Sequence, residues 1–576
     1  MAQPFGSLII VLHSHIPYVL GHSTWPHGSQ MLYEAAADTY LPLLQTIENL
    51  AGEGIAARLA IGITPVTMEQ LADERFKEWF PGYLSDKCYW ADRNAEEFEA
   101  RGDLHLAYLA RRWHDHYSYL STKFIEHYQR DILAAFRRQQ DAANIEVMTS
   151  AATHGYLPLL REDGSIQAQI MEGISVYERH MGRRPKGCWL PECAYRPTAK
   201  WAPPPEISGT EIPYPRKGVE EFLGENGLDY FIVDAHMLAG GDPLPVWIEE
   251  TETLGKLWGR IRRIDAPPGT FKTPYHSYFV GRKFEDHPPV AALIRDPETS
   301  MKVWSAAHGY PGDYAYLEFH KKHMPGDLRY WAVTDNCNDL ATKRQWSPDN
   351  AGHRTDEHAG NFLWTVKTTL QAASAASGQP VLVSPFDAEL FGHWWHEGLW
   401  FLEKAIRWIS QDPDIDLATP LQYLADSPPT EAIALPEGSW GAGGKHSVWL
   451  NDETAWTWRR IHEAELDMRQ LVADLGAGHD STAAAFIRQA AVELLLMQAS
   501  DWQFLITTDS APDYAAARID GHYTDFKKCV AWTRRYCRGE WIRQAEWAEF
   551  GTMTERDHIF GDVNPLWFRD LRRPAY

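Results

Sequence analysis

The stretch Pro380–Gly398, PVLVSPFDAELFGHWWHEG, constrains the fold more than any other part of the chain. Val381, Leu382 and Val383 form a short apolar run, the mark of a strand buried on both faces. Ser384-Pro385 is expected to end that strand, because proline cannot donate to a central ladder. Directly beyond it come Phe386, Asp387, Glu389, His393, Trp394, Trp395, His396 and Glu397. Polar groups just past the C-terminal end of a buried strand fit the plan of barrels and open α/β sheets, where sites are built at that end. A Trp-rich core segment under a surface turn is the plainer reading. It leaves three acids and two histidines among the tryptophans without a purpose.

The same pattern recurs upstream. Ser7–Leu12 reads as a buried first strand that delivers His13 and His15 to its end. These histidines suit a divalent metal, hydroxyl groups or a purely structural role; no convincing further metal ligands accompany them. Trp25 follows in a polar loop, then a helix over Glu34–Leu50 and a second strand over Ala57–Ile63. Residues 71–143 carry no strand pattern. They read as a helical insertion, with helices over Asn94–Leu109 and Tyr119–Gln140. Ile145–Thr149 resumes the sheet and ends near His154. After a helix over Ile166–Met181, the strand Lys186–Leu190 leads into WLPECAYRP, which carries Glu192. A carboxylate in such apolar company is desolvated unless Arg196 or a hydrogen bond keeps it charged. A further helix, Gly218–Asn226, and strand, Tyr230–Asp234, bring Asp234 and His236 to another strand end.

About residues 239–291 read as an irregular loop, with Trp247–Ile264 as a possible amphipathic helix; long loops of this kind are functional lids or disordered. Met301–Trp304 is expected to be a strand, followed by the polar run Ser305–Asp313. Ala359–Ala376 reads as the helix before the Val381 strand. Beyond about Asp412 the strand signal fades. Helices are expected over Glu453–Leu475, Ser481–Phe504 and Asp520–Tyr536, preceded by a Gly-rich loop with Trp440 and Trp449 and followed by an irregular tail past Gly551. The domains so read are a catalytic unit over 1–412, the insertion over 71–143 within it, and a helical unit over 413–576.

Composition narrows the partners. The 25 tryptophans among 576 residues exceed ordinary packing needs and favour a ligand with flat apolar faces, such as a sugar. A net charge of −23 without a basic stripe argues against nucleic acid. The six scattered cysteines show no CxxC pair, which suits free thiols in the cytoplasm. No signal peptide or membrane span is expected.

Five ordered blocks, His13–Tyr18, Ala152–Leu160, Trp189–Pro197, Ser384–Gly398 and Trp440–Asn451, resemble glycoside hydrolase family 57, and within it the α-glucan branching enzymes. The resemblance covers nearly the whole chain, and the third and fourth blocks are its most specific. It implies an incomplete (β/α)7 barrel with a helical insertion and a C-terminal helical domain. It implies a retaining mechanism with no metal and no cofactor, Glu192 as nucleophile and Asp387 as general acid/base. It further implies that His13, His154, Trp25, Trp304, Trp440 and Trp449 line the cleft. His15, Asp234, His236, Phe386, His393 and Trp394 are added as substrate contacts because they stand at strand ends.

The chemistry agrees: retention needs two carboxyl groups about 5–5.5 Å apart, one ionised and one protonated. The expected reaction cleaves an α-1,4 bond and transfers the glycosyl segment to a 6-hydroxyl of an amylose- or glycogen-like chain, by a monomer or small homo-oligomer. The chain departs from the family at its lid. Where a tyrosine is associated with transfer, the matching residue is Phe271 before Pro274, with Tyr275 and Tyr278 as alternatives. Trp247–Ile264 is extra sequence, and Ala307-His308 replace an acidic and a small residue. An α-amylase-like hydrolase or a 4-α-glucanotransferase is therefore the alternative. A binding-only protein and a metal-dependent hydrolase on His13 and His15 are the remaining readings; a chelator separates the last.

Overall fold

The computed structural model describes residues 4–24, 26–239, 272–281, 288–305, 309–335, 339–376, 379–475 and 480–571. Seven parallel strands organise them: β1 (Gly6–Ser14), β2 (Leu59–Ile63), β3 (Ile145–Ser150), β4 (Gly187–Trp189), β5 (Tyr230–Val233), β6 (Val290–Ile294) and β7 (Val381–Asp387). Their order in the sheet is β7-β1-β2-β3-β4-β5-β6. A single parallel bridge between Arg295 and Val383 links the two ends. The ring is thus a curled, incompletely closed barrel. Leu8, Ile9, Ile10, Val11 and Leu12 are all essentially inaccessible, so β1 is buried on both faces, as its continuous apolar run requires.

β7 runs past the expected stop at Ser384-Pro385 and pairs with β1 through Asp387, with Val11 opposite Pro385 and His13 opposite Asp387. Backbone direction explains this. The Val381 N–H donates to the Tyr275 carbonyl, and the Val383 carbonyl accepts from the Asp296 N–H. Odd-numbered positions of β7 therefore face away from β1. Pro385 shares that orientation, so its missing N–H falls on the side where the ring is barely closed, and the β1 ladder loses nothing.

Other expectations need correction. Val290–Ile294, which begins at the end of the stretch read as irregular, is the sixth strand of the ring. Met301–Trp304 is not a strand but the end of a helix, Pro297–Trp304. Asp296 caps that helix by accepting from the Thr299 N–H at 2.7 Å, with Pro297 in its first turn. In the insertion, two long helices, Glu74–Ala100 and Leu104–Thr122, replace the expected boundaries. They turn at Gly102, whose φ of 80° suits glycine. The strand Ile415–Leu417 still pairs with β1, beyond residue 412.

Towards the C-terminus lie the helices Ala455–Leu475, Ser481–Met497, Asp501–Thr507, Pro512–Cys537 and Gln544–Arg556. The expected helix Ser481–Phe504 is thus two helices with a break at Gln498–Ser500, and the tail past Gly551 is helical as far as Arg556. The segment Trp247–Ile264 lies outside the described residues. Among the described residues no helix is long and apolar enough to cross a membrane.

Candidate active site

Strand ends β1, β3, β4 and β7 bring His13, His15, His154, Glu192 and Asp387 to one mouth. Three imidazoles and one indole stack there. His13 lies 4.6 Å from Trp189 and 5.0 Å from His154, and His15 lies 4.2 Å from His154, all near parallel. Glu192 sits just past β4 with φ 60° and ψ 25°, and His154 has φ 57°. Left-handed backbone at non-glycine residues is costly and is retained where geometry matters.

The Glu192 carboxylate is held at both oxygens. Oε2 accepts from the Trp440 indole N–H at 2.8 Å and Oε1 from the Ser500 hydroxyl at 3.0 Å. Ser500 Oγ also lies 2.9 Å from His154 Nδ1, and His154 Nε2 lies 3.0 Å from His13 Nε2. A carboxylate only accepts, so Ser500 gives Glu192 its one proton and must accept the next from His154 Nδ1–H. His154 Nε2 is then an acceptor and takes the His13 Nε2–H. One ionised carboxylate thus fixes the tautomers of two histidines. Burial, and then neighbouring imidazoles, hold both well below the usual histidine range, so both are neutral.

His15 behaves differently. Burial opposes its charge, but Asp501, whose Oδ2 lies 2.8 Å from Nε2, together with Glu192 and Glu389 outweighs that and raises its pKa.

The two carboxyl groups differ in environment. Burial pushes Glu192 up to about 7, against the pull of Trp440 and Ser500. Asp387 is pushed well above the carboxylate range by burial first and then by Glu389 and Glu192; its carboxyl makes no hydrogen bond among the described residues. The pair therefore offers a carboxyl biased towards its protonated form beside a carboxylate equipped to ionise. This is the division of labour that double displacement at an acetal carbon requires.

The remaining expected residues divide. Trp440 is on the site. His393 Nδ1–H donates to Asp38 Oδ2, 3.0 Å away, and Trp394 beside it is 37 % exposed. Asp234 does not line the mouth: it is fully buried and binds Arg295 at 3.1 Å and His236 at 3.0 Å. It acts from beneath, because Arg295 lies over the Trp440 ring at 5.5 Å. Phe386 alternates to the face opposite Asp387 and packs on Phe391. Trp449 is buried and stacks on Tyr156 at 4.5 Å, so it packs on its own surroundings. Trp304 is buried on its helix.

Tyr275 and Tyr278, the alternatives for the lid, are tied down. The Tyr275 hydroxyl donates to Asp296 at 3.1 Å, and the Tyr278 hydroxyl donates to the Thr273 carbonyl at 2.9 Å. Trp25, Phe271 and Ala307-His308 lie outside the described residues.

Ser500 and Asp501 were missed by the sequence reading. Their signal was a Ser-Asp pair opening an apolar run, the sign of a new helix start inside what read as one helix.

Two other clusters bring metal-type ligand atoms within 4.8 Å of one another, His22/His522/Asp557 and Glu493/Asp525/Asp557. Both ring nitrogens of His522 are already engaged, by Arg518 and Glu493, and Arg556 bonds both Asp525 and Asp557. They form an ion-pair web that ties the first strand's loop to the C-terminal helices.

The sequence pattern of glycosyl hydrolase family 57 matches residues 9–436, and that of the 1,4-alpha-glucan branching enzyme C-terminal region matches residues 460–568. The chain belongs to glycosyl hydrolase family 57. This family 57 chain is 38 % identical over 562 residues to a 1,4-alpha-glucan branching enzyme of Thermococcus kodakarensis, covering 97 % of this chain and 78 % of that one. Its fold is similar to the family 57 branching enzyme of Pyrococcus horikoshii, with a TM-score of 0.87 and 36 % identity over 99 % and 98 % of the two chains. It is also similar to the alpha-amylase AmyC of Thermotoga maritima, with a TM-score of 0.78 and 26 % identity over 99 % and 100 %.

Proposed function

We propose that the protein is a 1,4-α-glucan branching enzyme working by retaining double displacement. The observation that carries the reading is the unlike pair at one mouth: among the described residues Glu192 has two hydrogen-bond donors and Asp387 has none. The Glu192 carboxylate attacks the anomeric carbon of an α-1,4-linked chain. Asp387 gives its proton to the departing glycosidic oxygen, and a glycosyl ester on Glu192 results. A 6-hydroxyl of an acceptor chain then attacks the same carbon, passes its proton to Asp387 and frees Glu192. Two inversions give an α-1,6 branch. His13, His15, His154, Trp440, His393 and Trp394 are the proposed contacts to sugar. Asp234 positions Trp440 through Arg295. Similarity to branching enzymes along both parts of the chain supports transfer over hydrolysis.

In this reading residues 1–412 are the catalytic barrel, 71–143 its insertion and 413–576 the helical domain that completes the site. The partner is an amylose- or glycogen-like chain in glycogen synthesis, handled by a monomer or small oligomer. The free thiols of Cys88, Cys188, Cys193, Cys529 and Cys537 suit the cytoplasm.

The test is to incubate the protein with amylose and follow α-1,6 anomeric protons by NMR together with reducing ends. New α-1,6 signal with few new reducing ends is expected. Reducing ends that rise without α-1,6 signal would make the protein a hydrolase. Phe271→Tyr is expected to raise the ratio of branching to hydrolysis in the same assay; an unchanged ratio removes Phe271 from the account.

A further inference from the structure

A cavity of about 230 Å³ lies between the helices Leu41–Gly52, Leu104–Thr122 and Gly398–Ile409. It shares no residue with the Glu192–Asp387 mouth. Its size suits one sugar ring rather than a drug-sized ligand, whose sites run to ~300–1,000 Å³.

The lining is specific in its chemistry. Trp400 supplies a flat apolar face, and Tyr119, 46 % exposed, stands at the rim. His116 and His396 also line the cavity, and neither ring makes a hydrogen bond among the described residues. Burial, the largest cause for each, pushes His116 down to about 4 and His396 well below the usual histidine range, so both are uncharged. A neutral imidazole offers one N–H and one bare nitrogen. A hydroxyl, being donor and acceptor at once, answers either.

The charges around the cavity are already answered from within the chain. Asp38 is held by His393 and Arg329, Glu403 by Arg407, and Lys123 lies 3.9 Å from Glu48. Among the described residues an anion meets no free cation there, and a cation meets no free carboxylate. A neutral polyol with an apolar ring face fits what remains.

We propose that this cavity is a second α-glucan site, in which one glucosyl unit of a chain stacks on Trp400 and gives hydroxyls to His116 and His396. The inference rests on the reading of the protein as an α-glucan enzyme. The cavity is one ion pair away from the loop after Asp387, through Asp38 and His393. A chain held there is kept beside the catalytic mouth without entering it.

The test uses two variants of the full chain. Trp400→Ala removes the stacking face. Gln45→Trp fills the cavity from its wall and removes no buried aromatic. Both are made in the Glu192→Gln background for retardation by glycogen in native gels, and in the active enzyme for kinetics on amylose. Each variant is expected to weaken glycogen retardation at least threefold and to raise KM on amylose similarly, with kcat unchanged. If Trp400→Ala fails to fold, Gln45→Trp decides alone. Folded variants with unchanged retardation and KM overturn the inference and leave the cavity to water. A parent that makes no α-1,6 bonds and is not retarded refutes the proposed function instead, so the two failures are separable.

Discussion

At the residue scale, the ionisation of Glu192, the proposed nucleophile, depends on two donors, and this makes it measurable. Removing a hydrogen bond to the charged form raises a carboxyl pKa. Ser500→Ala and Trp440→Phe should each raise that of Glu192 above its value of about 7. The acid limb of the kcat/KM profile should then move to higher pH by roughly one unit or more, since a bond to a charged group contributes ~1.5–3 kcal/mol and one unit is ~1.4 kcal/mol. An unmoved limb would mean that Ser500 merely packs.

Glu192 and Asp387 were legible in the sequence as carboxylates at strand ends: Glu192 stands just past β4, and Asp387 is the last residue of β7. Phe386 and Trp449 were over-read for a related reason. A motif names residues but not the face on which each falls, and one step along β7 separates Asp387 from Phe386. Ser500 was illegible because its partner stands 308 positions away in the chain.

At the element scale, β7 makes the sharpest claim. Pro385→Ala restores an N–H on the side facing away from β1, so the melting temperature should hardly move; a compatible proline contributes only ~0.4–1 kcal/mol. Ser384→Pro would remove an N–H from the β1 ladder and should cost several kcal/mol, ~3 or more by analogy with proline inside a helix. Equal losses would refute the orientation deduced here.

The break at Gln498–Ser500 is pinned by Gln498, which donates to Glu465 at 3.1 Å and accepts from Gln169 at 3.0 Å. Gln498→Leu removes one donor from Glu465 and one acceptor from Gln169 and should cost ~2–6 kcal/mol in denaturant titration, at ~1–3 kcal/mol for each unsatisfied group. Hydrophobic run length could not reveal that break, nor could it mark off Val290–Ile294 as a strand. For Pro297–Trp304 the capping signal Asp-Pro-Glu-Thr was present and outweighed by the apolar letters that follow.

At the scale of the whole molecule, the mouth is built jointly by the barrel and the helices after it. Asp501 holds His15 of the first strand, and Ser500 holds Glu192 of the fourth. Asp501→Asn should therefore lower the His15 pKa, because the largest influence opposing burial at that ring is lost. A ring-proton NMR titration reads this directly, and an unshifted His15 would place the charge elsewhere. The barrel, the insertion and the helical C-terminal part were legible from periodicity and from the family resemblance. That the last part reaches into the chemistry was not, because contacts between distant segments leave no periodic trace.

This shared construction also sets a clock on synthesis. Asp387 leaves the ribosome roughly a hundred residues before Ser500, a delay of about 5–20 s at ~5–20 residues per second. Throughout that interval the barrel can hold both carboxyl groups while one of the two donors to Glu192, Ser500, is still unmade. A nascent chain therefore passes through a stage in which the indole of Trp440 alone favours the charged form of Glu192, and the complete set of donors waits for the helices after the barrel.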